Sequence, residues 1–463
     1  MLIQKREMRA NWDADVIIAG GGTAGAIAAI AAARNGARTL LIDKHGFLGG
    51  TATAGNVFHG FFDCRGNQVV KGIGEELVQR MMVEEGSPGH LLGGKWGHDV
   101  PEYFVYSQTP YDLETFKYVI MRMVDEAGVK MMLHTFFGRA LRAEQTVTGV
   151  EVHNKSGQHA LTAKVIVDCS GDADVAASAG ASYEFGRGDG KAQNVTLLFT
   201  LGGVDFDRVV EYSRAHVRVR TWGEWHSRLM KAPKLGETEP SYVSMSGKII
   251  IDDDVEQGTE LSCGFRSLRP GELRLNVTRT TGVDSTKVED LTRAEIEERR
   301  KVFEVAKALR RLVPGFETSF LASTATEVGV RESRRIIGDY VLSTEDVLEG
   351  RDFEDSVCRG AYPVDIHDPE GGHVSHTFVK DGLSYGIPYR CFLPRGLENI
   401  LVGGRCISTS HVANGSSRQM PTCVAMGQAV GTAAALAVRE RTTPRAVDVE
   451  LLRSTLVEQG ACV

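Results

Sequence analysis

Residues 13–50 read DADVIIAGGGTAGAIAAIAAARNGARTLLIDKHGFLGG, and the fold depends on how this stretch is read. Residues 15–19 (DVIIA) form a short β-branched apolar run, the pattern of a strand buried on both faces. Gly20-x-Gly22-x-x-Gly25 then opens a run of alanine and isoleucine ending at Arg34-Asn35-Gly36, a helix with a glycine stop. Residues 38–42 (RTLLI) make a second strand, closed by Asp43, 18 residues after Gly25. Gly20 makes the tight turn, Gly22 lets backbone reach a pyrophosphate, and Gly25 allows helix and strand to pack closely. The helix N-terminus, at Thr23 and Ala24, faces phosphate charge, and Asp43 accepts hydrogen bonds from an adenosine ribose. A bare G-x-G-x-x-G is weak evidence, because any strand–helix turn can be glycine-rich. Strand, small-residue helix, second strand and terminal acid in register make a dinucleotide site.

The chain has 463 residues, 42% hydrophobic and 24% charged, which allows large cores and exceeds one ordinary domain. Its net charge of -7, with both signs interspersed and no basic block, argues against a nucleic-acid partner. Residues 1–12 (MLIQKREMRANW) lack the apolar centre of a secretory signal, and no apolar run is read as reaching the roughly 18 residues of a bilayer span. The expected protein is therefore cytoplasmic, with no membrane partner. Eight cysteines are scattered without C-x-x-C or zinc spacing, so they are expected as buried thiols in a reducing compartment, with no metal site.

Farther along, Asp112 caps a helix over 113–126 that Gly128 stops. An antiparallel hairpin over 149–153 and 160–163 turns at Lys155-Ser156-Gly157. Residues 164–168 (KVIVD) read as another buried strand, running into CSGDADVAASAG. From about 196, VTLLFTLGGVDF, GKIIIDDD, TELSCGFRSL and ELRLNVTRT read as strands separated by polar loops such as 229–244. Thr292 with Glu295 reads as a capping box opening a helix to about 312, ended by Pro314-Gly315. Residues 399–403 (NILVG) form an apolar strand followed by Gly404-Arg405. Pro421 then opens a long small-residue helix whose free N–H groups stabilise negative charge. The expected fold is α/β: a Rossmann-like cofactor domain (12–195 and 385–463) with an inserted β-rich α+β substrate domain (196–384). No second G-x-G-x-x-G follows a strand, so a built-in NADPH domain is not expected.

The doublet Gly49-Gly50, six residues after the ribose acid, resembles the flavoproteins of the glutathione reductase-like superfamily. There it leads the chain back along the cofactor toward the flavin. Together with VIVDCSGDADVAASAGA, EVGVRESRRIIGDYVLSTEDVLEG, AYPVDIH, YGIPYRCFLP and NILVGGRCISTSHVANGSSRQMPTCVAMGQAVGTAAALA, it is similar to the FAD-dependent oxidoreductase family, over about residues 14–461. The resemblance implies noncovalent FAD, the glutathione reductase-like fold and redox chemistry, without naming one substrate. It implies a cofactor-binding set of Gly20, Gly22, Thr23, Ala24, Gly25, Asp43, Lys44, Gly49, Gly50, Thr51, Phe137, Ser170, Gly171, Asp172, Gly404, Arg405, Pro421, Thr422 and Cys423. More distantly, GSSRQM is similar to the stretch in fumarate reductase and succinate dehydrogenase flavoproteins where an arginine grips substrate carboxylate. Arg418 holds that place. Ser416 and Ser417 replace the preceding His and Asn, which puts a dicarboxylate substrate in doubt. His45 lies near their covalent flavin attachment, but its spacing to Gly49 differs and the linkage is not carried over.

A flavin takes hydride at N5, so the protein must manage the departing proton of a hydroxyl or amine. Arg331, Arg334 and Arg335 read as one face of a helix. Asp365-Ile366-His367 and His376 lie in the segment returning to the cofactor domain, and Tyr389, Arg390, His411 and Arg418 flank the last strand, where such folds border their ligand crevice. The expected catalytic set is Arg418 as anchor, His411 or His367 for proton transfer, and Arg390. The expected activity is hydride transfer between FAD and a polar small molecule, hydroxylated or carboxylated, with an external electron acceptor or donor, in a possible homo-oligomer. Two other readings stand beside it: a fumarate reductase-like donor to an activated double bond, and a flavin-free carrier on the same fold.

Overall fold

In the computed structural model, which describes residues 10–55, 57–92, 104–216, 242–243, 248–249, 259–260, 264–371 and 374–463, the 13–50 stretch folds as strand, helix, strand: Ala10–Ala19, Thr23–Arg34 and Thr39–Ile42. Val16, Ile17 and Ile18 are fully buried, because layers cover both faces of their sheet. Five strands run parallel, in the spatial order Lys130–Met132, Thr39–Ile42, Ala10–Ala19, Gly157–Asp168, Ile400–Val402. The expected strand 164–168 is not a separate element. It is the second half of Gly157–Asp168, whose first half also pairs antiparallel with Thr146–Asn154 across the Lys155-Ser156 turn. Phe136–Ala143 extends this antiparallel arm.

Both ends of the chain meet on this sheet. A Cβ on Gly427 of helix Met420–Arg439 would stand 2.3 Å from the Ala24 carbonyl oxygen, and one on Gly431 would stand 2.2 Å from that of Ala28. The first and last long helices therefore touch backbone to backbone, a contact only small residues permit. Met420–Arg439 is apolar and long enough to cross a membrane, contrary to the reading that no run reaches that length. Its most apolar window is 89% buried inside the protein, so it serves as a core helix.

A separate antiparallel sheet orders Tyr242–Val243, Gly264–Arg266, Leu273–Leu275, Phe199–Gly202 and Phe320–Thr324. Phe199, Leu201, Leu273 and Leu275 pack there against Val302 and Leu309 of helix Val288–Leu312, forming a second core. The polar loop expected over 229–244 lies outside the described residues except Tyr242–Val243. Two local expectations fail. The Val288–Leu312 helix starts a turn before Thr292, whose hydroxyl donates back to the Val288 carbonyl at 2.7 Å, while Glu295 accepts from the Val328 N–H at 2.7 Å. Glu289 and Asp290 in the first turn favour the earlier start through the helix dipole. Arg331, Arg334 and Arg335 do not share a helix: Arg334–Ile336 is a strand paired with Tyr183–Phe185. Arginines three and four apart imitate a helical face, but strand pairing of a β-branched segment wins.

Candidate active site

One cavity of about 820 Å³ is lined by the glycine turn, the last strand and helix, and the middle sheet. At the glycine turn, Gly20 has φ +98° and a Cβ there would stand 2.5 Å from the Cys169 carbonyl oxygen, while one on Gly25 would meet the Gly20 carbonyl oxygen at 1.8 Å. Gly22 differs: a Cβ there meets no protein atom nearer than Gly50 Cα at 3.9 Å, and Gly22 lines the cavity. Protein packing thus demands glycine at 20 and 25, whereas at 22 the bare backbone faces the cavity. Helix Thr23–Arg34 has no side-chain cap, which leaves its first N–H groups for an anion. The Gly49-Gly50 doublet is stitched onto the turn: Gly49 N–H donates to the Gly21 carbonyl at 2.8 Å and the Thr23 hydroxyl to the Gly49 carbonyl at 3.0 Å. Asp43 accepts from the Gly21 N–H at 2.7 Å, the His45 N–H at 2.7 Å and His45 Nδ1 at 3.0 Å, which leaves lone-pair capacity on its carboxylate.

A second group of side chains converges on Asp365, in strand Val364–His367. Arg418 Nη2 donates to the Asp365 carbonyl at 2.9 Å and to Oδ2 at 3.2 Å. His367 Nε2 lies 3.5 Å from Oδ2 and His376 Nε2 lies 3.4 Å from Oδ1. Burial opposes the Asp365 charge, but His367, Arg418 and His376 outweigh it and hold the carboxyl well below its ordinary range. Burial, then the Arg331 charge, pushes His367 down to about 3, so its imidazole is neutral at neutral pH. The carboxylate selects the Nε2–H tautomer and leaves Nδ1 as a lone pair. His367 Nδ1 and Arg418 Nε are buried without a hydrogen-bond partner, and Asp365 Oδ1 has only the His376 contact, an arrangement that costs stability unless a bound group completes it. His59, whose Nδ1 lies 2.9 Å from Tyr106 Oη, completes this end; burial pushes its pKa down to about 4.

The family model for FAD dependent oxidoreductases matches residues 15–456. The chain belongs to this family. It is an enzyme, and FAD is its cofactor. No curated protein matches it. Solved structures similar to this oxidoreductase include a geranylgeranyl bacteriochlorophyll reductase-like protein from Thermoplasma acidophilum, at 11% identity and TM-score 0.48 over 97% of this chain and 84% of that one. They also include the p-nitrophenol 4-monooxygenase PnpA from Pseudomonas putida DLL-E4, at 10%, 0.47, 97% and 85% respectively, and the flavin-dependent brominase Bmp2, at 14%, 0.48, 96% and 83%.

Of the residues expected from the sequence, Gly20, Gly22, Thr23, Ala24, Asp43, Lys44, Gly50, Thr51, Ser170, Gly171, Asp172, Gly404, Arg405, Cys423, His367 and Arg418 all line the cavity of this FAD enzyme. Gly25 and Gly49 stand behind it, held to glycine by Gly20 and Phe116. Pro421 and Thr422 are buried in the first turn of the last helix. Three expected residues face elsewhere. Phe137 pairs with Val152 on the antiparallel arm and packs against that sheet. Arg390 is half exposed and donates to Asp355 at 2.8 and 3.0 Å. His411 Nδ1 lies 2.8 Å from buried Glu332, which also receives Arg335. Nearness to a strand end does not determine where a side chain points. Sequence reading missed His59, Tyr106, Asn276, Arg279 and Glu327, which line the cavity from distant segments; the one local signal was polar Asn276 and Arg279 continuing the apolar Leu273–Leu275 strand.

Glu327 receives Lys44 at 2.7 Å and lies 3.5 Å from His45 Nε2, tying the segment after Phe320–Thr324 to the Asp43 end. Hydrogen bonding to Asp43, then to Glu327, raises the His45 pKa to about 9. A raised folded pKa gives stability that is complete below the ordinary histidine value and is lost as pH rises through about 9. Wild-type holoenzyme is therefore expected to lose roughly 2–4 °C of Tm between pH 7 and 9.5 beyond the loss in His45→Gln, as scanning calorimetry of the two proteins measures. Equal slopes would refute the tie.

Proposed function

We propose that this enzyme moves hydride between N5 of FAD and a polar small molecule, hydroxylated or carboxylated, with an external electron partner closing the cycle. When bound, FAD supplies a hydride acceptor or donor at N5. The Gly20–Gly25 turn and its helix N-terminus hold the pyrophosphate, and Asp43 takes ribose hydroxyls with its remaining lone pairs. The uncapped N-terminus of Met420–Arg439 would stabilise negative charge on the flavin. Residues 196–384 act as the substrate cap; the separate core of their part up to Val328 and their contribution to the cavity wall support this, whereas Leu342, Val357, Cys358 and Val364 pack into the main core.

The observation that carries the reading is the pair of buried, unpartnered atoms His367 Nδ1 and Arg418 Nε on either side of Asp365. On oxidation of a hydroxyl-bearing carbon, His367 Nδ1 takes the O–H proton as the carbon gives up hydride, leaving a carbonyl. Asp365 orients the imidazole and balances its positive charge, while Arg418 Nε holds a substrate oxygen. Anaerobic mixing of the yellow protein with hydroxy acids and polar alcohols tests this: bleaching by at least one of them is expected. Bleaching by nicotinamide cofactors alone, with oxygen then inserted into an added substrate, would sink the hydride reading.

A further inference from the structure

The charges around the substrate end do not cancel. Most carboxylates lining the cavity have their own partners: Asp43 faces His45, Asp172 accepts from Arg405 at 2.8 Å, Glu295 accepts from Arg299 at 3.1 Å and Glu327 receives Lys44. Among the described residues lining the cavity there remain Arg279, Arg331 and Arg418 with Asp365, three cations and one anion; Glu298, which also acts on Arg331, has Lys301 at 3.6 Å. Arg331 is the most telling. It donates to the Asn194 carbonyl at 2.9 Å, Asn194 Oδ1 at 3.2 Å, Thr196 Oγ1 at 2.7 Å and Asn276 Oδ1 at 3.2 Å, and every one of those acceptors is neutral. The amides and hydroxyl aim this guanidinium without discharging it. Burial, then the Arg418 charge, lowers its pKa to about 9 against the pull of Asp365 and Glu298, still cationic at neutral pH. His367 and His59 are uncharged there.

A buried cation short of counter-charge is unfavourable, and an excess of two positive charges in one cavity fits a ligand that brings two negative charges. Resting on the hydride-transfer reading above, we propose that the substrate is a dianion, a small molecule with two acidic groups or one doubly charged group, held by Arg331, Arg418 and Arg279. Arg331 is the specificity-determining residue. It is fixed before binding, so little ordering is lost when the anion arrives, and its planar fork accepts a carboxylate or phosphate on two N–H groups. Asp365 keeps Arg418 oriented through Nη2.

The test is equilibrium binding to the holoenzyme at fixed ionic strength, with malonate, succinate and inorganic phosphate as dianionic probes, acetate as monoanion and malonamide as neutral control. Binding is read from the flavin absorbance perturbation and by calorimetry. At least one dianion is expected to bind about tenfold or more tighter than acetate. Arg331→Gln and Arg279→Gln are each expected to erase that preference while FAD content stays unchanged. Arg279 is only partly buried, so its variant decides the matter if Arg331→Gln does not fold. Acetate or malonamide binding as well as every dianion, or a dianion preference that survives Arg279→Gln and any folded Arg331→Gln, overturns the proposal. Binding needs no turnover, so the two readings fail separately. Dianion binding with no bleaching by any hydroxylated dianion removes the hydride reading only; bleaching by neutral alcohols without dianion preference removes this one only.

Discussion

Gly22→Val is expected to give a folded protein without FAD. A Cβ at 22 meets nothing closer than 3.9 Å, and Gly22 has φ -67°, open to any residue, so the fold has no reason to resist it. The added methyls occupy the face where the cofactor's phosphates must approach backbone. A pyrophosphate kept off the helix N-terminus loses its hydrogen bonds and its dipole together, and FAD affinity is expected to fall by about a hundredfold or more. Gly25→Val is the opposite case. Its Cβ would stand 1.8 Å from the Gly20 carbonyl oxygen, so the loss appears as insoluble or unfolded protein. Circular dichroism with released-flavin fluorescence separates the two. A Gly22→Val protein that keeps its yellow colour would show that the cofactor does not lie on this turn.

His367→Gln is expected to lower kcat by roughly 10²–10⁴, the usual worth of a positioned acid–base group, with FAD content and dianion affinity little changed. Retention of both separates loss of the base from loss of the site. The pH profile should carry a signature. In the free enzyme, burial and Arg331 depress the His367 pKa to about 3, so protonation of His367 leaves kcat/KM untouched throughout the neutral range. An anion on Arg331 and Arg418 removes the repulsion that opposes the imidazolium and raises that pKa. The acid limb of kcat should therefore lie at higher pH than that of kcat/KM, and should vanish in His367→Gln. Unchanged turnover in His367→Gln would assign the proton to another group.

The half of the cavity built on the glycine turn was legible because its logic is local. Gly20, Gly22 and Gly25, the alanine helix and Asp43 sit within one strand–helix–strand unit, where backbone spacing dictates residue type. Even there, only the structure separates glycines required by packing from Gly22, required by the cavity. The half proposed for the substrate draws on His59, the Asn276–Arg279 stretch, Arg331, Asp365 and Arg418, most of them far apart in the chain. No short window holds enough of it to show a pattern. Arg390 and His411 illustrate the limit: both flank the last sheet strand, yet Asp355 and Glu332 draw their side chains away. The arginines at 331, 334 and 335 failed as a helix because spacing alone cannot weigh the strand partner at 183–185.

Where FAD lies when it is bound decides between these outcomes, and a crystal structure of the yellow holoenzyme measures that. The predicted result is one extended cofactor, its adenosine ribose on Asp43 and its isoalloxazine between the start of the Met420–Arg439 helix and the Asp365–His367 pair. An isoalloxazine turned away from that pair, leaving Asp365, His367 and Arg331 out of reach of N5, would contradict it.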